Sequence, residues 1–483
     1  MKTEKVHTLI LGAGPAGLAA SYVLARAGAG PVLLERDKVC GGLMRSIRRG
    51  DFIVDVGRKE LYNRLAKVDN FWQALLGDQF RLYDHRGGVL FDGCIIDREA
   101  VYQGFRRGLP WGMFLSCCWD FAKAQISVAK TQPKNVQEYF YRSRGARLTQ
   151  IFSQGFQEKL TGQKWEEMPI LPEHLNGHRK SVLSTTKAAL ARTFVEKNVN
   201  TFKGVWRHPA RGTGQICESL ERGARENGGT VHNQVKILDM TASGGRIATV
   251  IAEVGGEVVT FEPQNVVSSI PLEHLVPMLL KKKLDAMATD MKASPFRKKT
   301  VVLVYLFLNE KPRFPQAWLD VTCPKTRVGR ITNYAALNGE MVPPGKSSFC
   351  VEYYCFDDDP LLNQTDQQFS EMALTECSGF NLLDRTTCFD SMVLRFPGAD
   401  ASQNRHNWLS RIRLGLLEEL KPIKNLYYVN RTDLDIATLA GIESAEAILS
   451  GNRADFDTHV DPTRIGIRSE KKDFEFKNPA AQL

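Results

Sequence analysis

No apolar run in this 483-residue chain reaches the roughly 20 residues needed to span a bilayer. Cysteine is present but unorganised. Ten residues are scattered, with no CxxC pair and no His/Cys cluster at metal spacing. Cys117 and Cys118 are adjacent, and Cys350 and Cys355 lie five apart, but neither has a second pair. That excludes a zinc framework and predicts no metal site, with reduced thiols in a cytosolic compartment. No secretory leader precedes the first strand, so a cytoplasmic location is expected. No internal repeat is visible. Net charge is +10, yet basic runs such as Arg179-Lys180 and Lys281 to Lys283 are short and carry no nucleic-acid signature. A solvated basic surface is expected, with a modest preference for an anionic small-molecule substrate.

What the chain does have begins at residue 6. An apolar run ending in Leu9 to Leu11 meets a turn with Gly12, Gly14 and Gly17, then a small-residue helix, then an apolar strand ending at Glu35. This is the dinucleotide fingerprint in its required setting of strand, turn, helix and strand. Gly12 permits the tight turn, Gly14 lets main chain approach a pyrophosphate, and Gly17 lets helix and strand pack closely. Pro15 and Ala16 open the helix, whose N-terminal N–H groups favour negative charge. Glu35 stands where a carboxylate accepts from a ribose 2′-hydroxyl and repels a 2′-phosphate, which disfavours NADP.

Six residues after Glu35 come Gly41-Gly42, then Arg45-Ser46, Phe52 and the Asp55-Val56-Gly57 turn. A nicotinamide dehydrogenase needs no second glycine pair there. FAD lies extended and needs more close backbone donors, so the cofactor expected is FAD. Arg36, Leu43, Arg45 and Gly57 join the expected contacts.

The segments GAGPAGL, LLERDKVCGGLMRS and FIVDVG resemble the GG-motif flavoproteins, which include flavin amine oxidases, protoporphyrinogen oxidases, carotenoid-type desaturases and UDP-galactopyranose mutases. The likeness continues in order through Asn135 to Trp165, HPARGTGQICESLERGARENGGTVHNQVKILDM, VVSSIPLEHL, VGRITNYAALNGEMVP and NLYYVNRTDLDIATLAGIESAEAILSG. It implies an α/β fold: a Rossmann-like FAD-binding domain of the two-dinucleotide-binding type, with an inserted helical cap and a substrate-domain β-sheet. It adds Val235, Ser269, Asn430 and Asp433 to the expected cofactor contacts.

Period changes along the chain divide it accordingly. Residues 1–96, 200–290 and 400–455 form a discontinuous FAD domain, 97–199 the helical cap, and 291–399 the substrate sheet. Residues 456–483 read as a loosely ordered tail. Protoporphyrinogen-oxidase-like relatives dip a helix near residues 109 to 119 into membranes. A core-facing cap helix is the reading preferred here.

Few residues remain to carry chemistry. Relatives continue the Asp55-Gly57 turn with a glycine and a histidine. Here Arg58 and Lys59 stand in those places. Either cation could stabilise an anionic reduced flavin or grip a substrate phosphate or carboxylate. Alternatively they form an outward-facing charge pair with Glu60. His208 stands where relatives often have tyrosine and is a candidate general base or a structural histidine. Arg211 and Arg330 are candidate anion ligands or surface arginines. Tyr334 could offer a hydroxyl or a stacking face. Relatives also have a glycine just after the closing strand, where this chain has Asn430-Arg431-Thr432-Asp433.

Three functions fit. The first is an FAD-dependent oxidoreductase that abstracts hydride from a biosynthetic intermediate at a C–H bond next to N, O or carbon. The second is a non-redox nucleotide-sugar mutase, in which arginines hold the diphosphate. The third is a non-enzymatic binder of the Rab GDP-dissociation-inhibitor type. No aromatic pair of the amine-oxidase kind is identifiable, and the oligomeric state is left open.

Overall fold

The strand Lys2–Leu11 is exposed at its start and continuously buried from Thr8 to Leu11. That pattern belongs to a central parallel strand covered on both faces. It pairs in parallel with Glu257–Ser268 on one side and Val32–Leu34 on the other. Gly12 then turns the chain with φ +96°, and Pro15 opens the helix Pro15–Arg26. A Cβ on Gly17 would stand 1.9 Å from the Gly12 carbonyl oxygen. No side-chain shift relieves a clash with main chain. Gly17→Ala is therefore expected to cost about 1–3 kcal/mol or more in denaturant unfolding, with or without ligand.

The structure is a computed structural model. It describes residues 2–59, 61, 65–84, 86–97, 108–126, 132–170, 205–281, 299–398, 415–431, 433–454 and 456. The first sheet runs in the order Lys236–Ser243, Arg246–Val254, Glu257–Ser268, Lys2–Leu11, Val32–Leu34 and Thr230–His232, with Leu426–Tyr428 also pairing to Glu257–Ser268. Its first three strands form the antiparallel meander expected from the turns at 243–245 and 255–256. Thr230–His232 instead lies parallel to Val32–Leu34. The helix Leu434–Ser450 crosses Pro15–Arg26 so closely that a Cβ on Gly441 would meet the Ala16 carbonyl at 2.1 Å. It stops at Gly451, φ +71°, as the sequence signals.

The second sheet has seven strands, in the order Cys388–Pro397, Lys299–Leu308, Ser347–Phe356, Val328–Asn333, Trp318–Val321, Gly87–Phe91 and Cys94–Asp97. The last two strands, assigned above to the FAD domain, thus belong to this second sheet, joined by parallel pairing of Gly87–Leu90 with Trp318–Val321. Side chains alternate across this sheet. Val304, Leu306, Phe349, Val351 and Tyr353 pack against Phe369, Ala373 and Cys377 of the helix Asp366–Gly379. Leu303, Tyr305, Phe307 and Cys350 pack against Phe52, Val54 and Val56 of the hairpin that follows the glycine pair. The second sheet therefore turns part of one face toward the hairpin and the Asp55–Gly57 turn, while Tyr354 on the same face packs against Phe156 and Leu160.

The helices Trp111–Ile126 and Gly155–Thr161 dock on the far strands of that sheet, and Val136–Arg144 packs against Trp111–Ile126. Lys159 Nζ donates to the carbonyls of Val321, Cys323 and Val328 at 3.1, 2.7 and 2.8 Å. A Cβ on Gly155 would meet the Thr322 carbonyl at 1.9 Å. The helix expected to face the core does so on one side only. Met113, Phe114 and Cys117 turn inward to Ile96 and Ile151. Trp111, Leu115, Trp119 and Ile126 are 59% to 80% exposed. Among the described residues no helix is long and apolar enough to cross a membrane, and no acidic, His or Cys group could hold a metal ion. The expected tail lies outside the described residues except for Phe456.

Candidate active site

Two bare turns meet at the C-terminal edge of the first sheet. Gly41 and Gly42 have φ +112° and +53°, which only glycine adopts without strain. Gly41 N–H donates to the Ala13 carbonyl at 2.7 Å, and a Cβ on Gly42 would stand 3.4 Å from Gly14 Cα. Gly14 itself has φ −72°, open to any residue, and nothing lies within 4 Å of the position a Cβ would take. The protein's own packing gives no reason for glycine there. A ligand laid against the main chain does. No side chain caps the helix Pro15–Arg26, and its first turn holds no acidic residue, so its amides suit a phosphate. Leu43, beside this turn, is 50% exposed. These residues fit the pyrophosphate of a dinucleotide.

Glu35 holds the turn as well as facing it. Its Oε2 accepts from Ala13 N–H at 2.6 Å and its Oε1 from Asp37 N–H at 2.8 Å. Each oxygen keeps a further lone pair for a ribose hydroxyl. Val235 is buried and gives its N–H to the Glu35 carbonyl, a main-chain tie rather than a side-chain contact. Arg45 pairs with Asp37 at 3.0 Å, and Arg36 is exposed beside the same carboxylate. Ser269 closes on the turn from the other side, its Oγ donating to the Leu11 carbonyl at 3.1 Å. Asn430 Nδ2 donates to the Ser269 carbonyl at 2.7 Å, so its amide braces the sheet edge. Asp433 is the N-cap residue of Leu434–Ser450 and makes no side-chain cap bond.

The second half of the site is built around Asp55, which is fully buried. Its Oδ1 accepts from Ser46 Oγ at 2.5 Å and from Thr213 N–H at 3.0 Å. Gly212, φ +79°, lets that passage in; a Cβ there would meet Ser46 Oγ at 2.4 Å and Asp55 Oδ1 at 2.7 Å. His208 has no exposed surface. Its Nε2 lies 3.4 Å from Asp55 Oδ2, and its Nδ1 lies 3.0 Å from the Pro209 carbonyl. This corrects the general-base expectation: a group sealed from solvent against Asp55 is a strut. Tyr334 is corrected likewise. It is fully buried, and its hydroxyl donates to the carbonyls of Asp55 at 2.7 Å and Gly57 at 3.1 Å.

The second sheet completes the hold on the turn. Tyr305 OH donates to the Asp55 carbonyl at 2.8 Å and accepts from Gly57 N–H at 3.2 Å. Glu352 Oε1 accepts from Arg58 N–H at 3.3 Å. Strand register then lines up Asp320, Arg330 and Glu352 as neighbours on one face. Arg330 pairs with Asp320 at 2.8 Å and with Glu352 at 3.5 Å, and its guanidinium lies over Phe156 at 5.0 Å. Burial opposes its charge, but Tyr354, Asp320 and Glu352 hold it well above its ordinary value. Arg330 is thus committed to carboxylates of its own chain, which corrects its reading as an anion ligand. Arg211 is exposed beside the Gly212 turn.

Arg58 and Lys59 follow the held turn. The Arg58 guanidinium lies 4.4 Å from the Trp318 ring centre. Lys59 is half-buried, and desolvation lowers its ammonium below the ordinary range against the pull of Asp55 and Glu352. The proposed Lys59–Glu60 pair lies outside the described residues at Glu60. Sequence reasoning missed Tyr305, Asp320 and Glu352, as well as Asn338, whose buried amide donates to the carbonyls of Pro209 and Ala210. A separate surface cleft between Asp366–Gly379 and Cys388–Pro397 brings none of the site residues together.

Residues 10–72 match the model of the NAD(P)-binding Rossmann-like domain. No curated protein sequence matches the chain. Among solved structures, reduced UDP-galactopyranose mutase superposes with a TM-score of 0.73 at 18% identity, covering 95% of this chain and 98% of that one. The chain has the fold of this mutase. A putative protoporphyrinogen oxidase from Exiguobacterium sp. 255-15 superposes with a TM-score of 0.64 at 15% identity, covering 92% and 99%. Putrescine oxidase bound to putrescine gives 0.57 at 10% identity, covering 93% and 100%. The two glycine turns and the Asp55 hub thus sit inside a fold that these structures share across more than nine-tenths of this chain.

Proposed function

We propose that the chain binds FAD between the Gly12–Gly17 turn and the Asp55–Lys59 turn, and works as an oxidoreductase on a small biosynthetic intermediate. Gly14 carries the reading: an ordinary backbone conformation, open space at the missing Cβ, and a second glycine pair against it. FAD bound there would supply the acceptor for hydride from a C–H bond next to N, O or carbon. Glu35 would fix the ribose, and the amides at the start of Pro15–Arg26 would face the pyrophosphate. Lys59 and Arg58 would set positive charge near the reacting end of the site, on a turn that Tyr305, Tyr334 and Glu352 keep from moving.

Purified protein is expected to be yellow, or to take up added FAD stoichiometrically; a colourless fold that ignores excess FAD would sink the reading. Anaerobic bleaching by a candidate metabolite, without dithionite, is the expected mark of an oxidoreductase. Lys59→Met is expected to slow that bleaching about tenfold or more while the colour stays, and an unchanged rate would return Lys59 to surface charge.

A second reading, a non-redox nucleotide-sugar mutase, is favoured by the near-complete overlap with reduced UDP-galactopyranose mutase. It predicts turnover only after chemical reduction of the cofactor, with no net consumption of electrons. Commitment of Arg330 to Asp320 and Glu352 weighs against it, because that guanidinium has little left for a diphosphate.

A further inference from the structure

The helix Trp111–Ile126 is apolar on two opposite faces. Met113, Phe114 and Cys117 turn inward against Ile96 and Ile151, which accounts for one of them. On the other, Trp111, Leu115 and Trp119 follow at four-residue intervals and so stand in one row, which Ile126 extends by two more turns. All four are exposed, and Gly112 and Cys118 are exposed beside them, across the helix from Cys117. A surface helix ordinarily turns polar residues outward, and a helix apolar on both faces is covered on both.

The stripe itself indicates what covers it. It holds no carboxylate, and its one cation, Lys123, lays its ammonium 5.1 Å from the Trp119 ring centre. The four large side chains show roughly 500 Å² of apolar surface, at the upper end of what a monomer leaves to solvent. Two copies laid face to face would bury roughly 1,000 Å² before any rim is counted, which reaches what a specific interface needs. A cleft of about 290 Å³ borders the stripe between Lys123, Ala124, Tyr141 and Gly145. Ridge and groove thus lie side by side on one surface, as a two-fold contact requires, because each patch must receive itself. The spacing suits an antiparallel pair. About a midpoint at Cys118 and Trp119, Trp111 comes opposite Ile126 of the second copy and Leu115 opposite Ala122, large against small. The two Lys123 residues then stand about 13 Å apart along the axis, where salt screens their repulsion. A lipid surface fits less well, since a helix lying on a membrane keeps a charged face to water, and here the opposite face is apolar and packed into the protein.

We propose that this stripe is an interface between two copies of the chain, packed as an antiparallel helix pair with Cys118 near the two-fold axis. The contact does not depend on the cofactor.

Sedimentation velocity of the full chain at micromolar concentrations is expected to show twice the chain mass. Trp119→Glu sets a charge at the centre of the stripe, on a side chain exposed in the single chain, and is expected to weaken association about thirtyfold or more with the fold retained. Should that variant aggregate, Leu115→Ser combined with Trp119→Ser is expected to weaken it likewise. A short bis-maleimide is expected to join the parent through Cys118, identified by mass spectrometry of the linked peptide, and Cys118→Ser is expected to abolish that product. Parent that stays monomeric, or a dimer that both stripe variants leave intact, overturns the proposal. A dimer sensitive to those variants but never joined at Cys118 overturns the antiparallel arrangement. Monomeric parent that sediments with vesicles of phosphatidylcholine and phosphatidylglycerol, and loses them on Trp119→Glu, overturns the proposal by assigning the stripe to lipid.

Discussion

Gly14→Val is expected to give a folded but colourless protein, with FAD bound at least about a hundredfold more weakly, equivalent to about 2.7 kcal/mol. Gly14 and Gly17, three residues apart, lack a side chain for opposite reasons. At Gly17 the missing side chain makes room for the protein's own carbonyl at Gly12, so any substitution there damages the fold. At Gly14 the missing side chain makes room for nothing in the protein. Valine fits the backbone, since φ is −72°. Its two methyls would fill the space between the first helix turn and the glycine pair, and the pyrophosphate would lose its approach to main chain. Titration of FAD into purified variant, followed by flavin fluorescence, checks affinity, while denaturant unfolding checks the fold. Full occupancy in the valine variant would remove the strongest support for the cofactor.

Asp55→Ala is expected to cost about 3–5 kcal/mol of stability in denaturant unfolding, the largest loss anticipated from one side chain of the site. The carboxylate accepts from Ser46 and Thr213 and faces His208, all in a dry interior. Its removal orphans the Thr213 amide and the Ser46 hydroxyl, and each buried unpaired group costs about 1–3 kcal/mol. Ser46 also accepts from Gly214 N–H at 2.8 Å, so the helix Gly214–Glu226 loses its firm seat. Asp55→Asn preserves shape and one acceptor oxygen, and a milder loss is expected. A cost below about 1 kcal/mol for alanine would mean that the hub does not hold the hairpin and the Gly212–Gly214 passage together.

The parts legible in the sequence are those whose chemistry is local. The turn from Gly12 to Gly17 declares itself because its three glycines stand at short fixed spacing between a strand and a helix. The stops at Gly228 and Gly451 are likewise left-handed positions at helix ends. The row Asp320, Arg330 and Glu352 was invisible for the opposite reason. Its members are adjacent only through strand register, ten and twenty-two residues apart in sequence. His208 and Tyr334 misled because residue type suggests chemistry without showing direction, and both point into the core. The edge strands Gly87–Phe91 and Cys94–Asp97 were placed in the wrong unit because a hairpin's sequence does not say which sheet it joins.

The ammonium of Lys159, wedged among three carbonyls, has a mechanical consequence for the second sheet. Swinging the helix Gly155–Thr161 off its strands would strip three charge-assisted bonds at once, in a place where water is slow to replace them. Lys159 thus rivets the helix Gly155–Thr161 to the strands beneath it, and Lys159→Met is expected to loosen that seam, read as faster amide exchange along the helix.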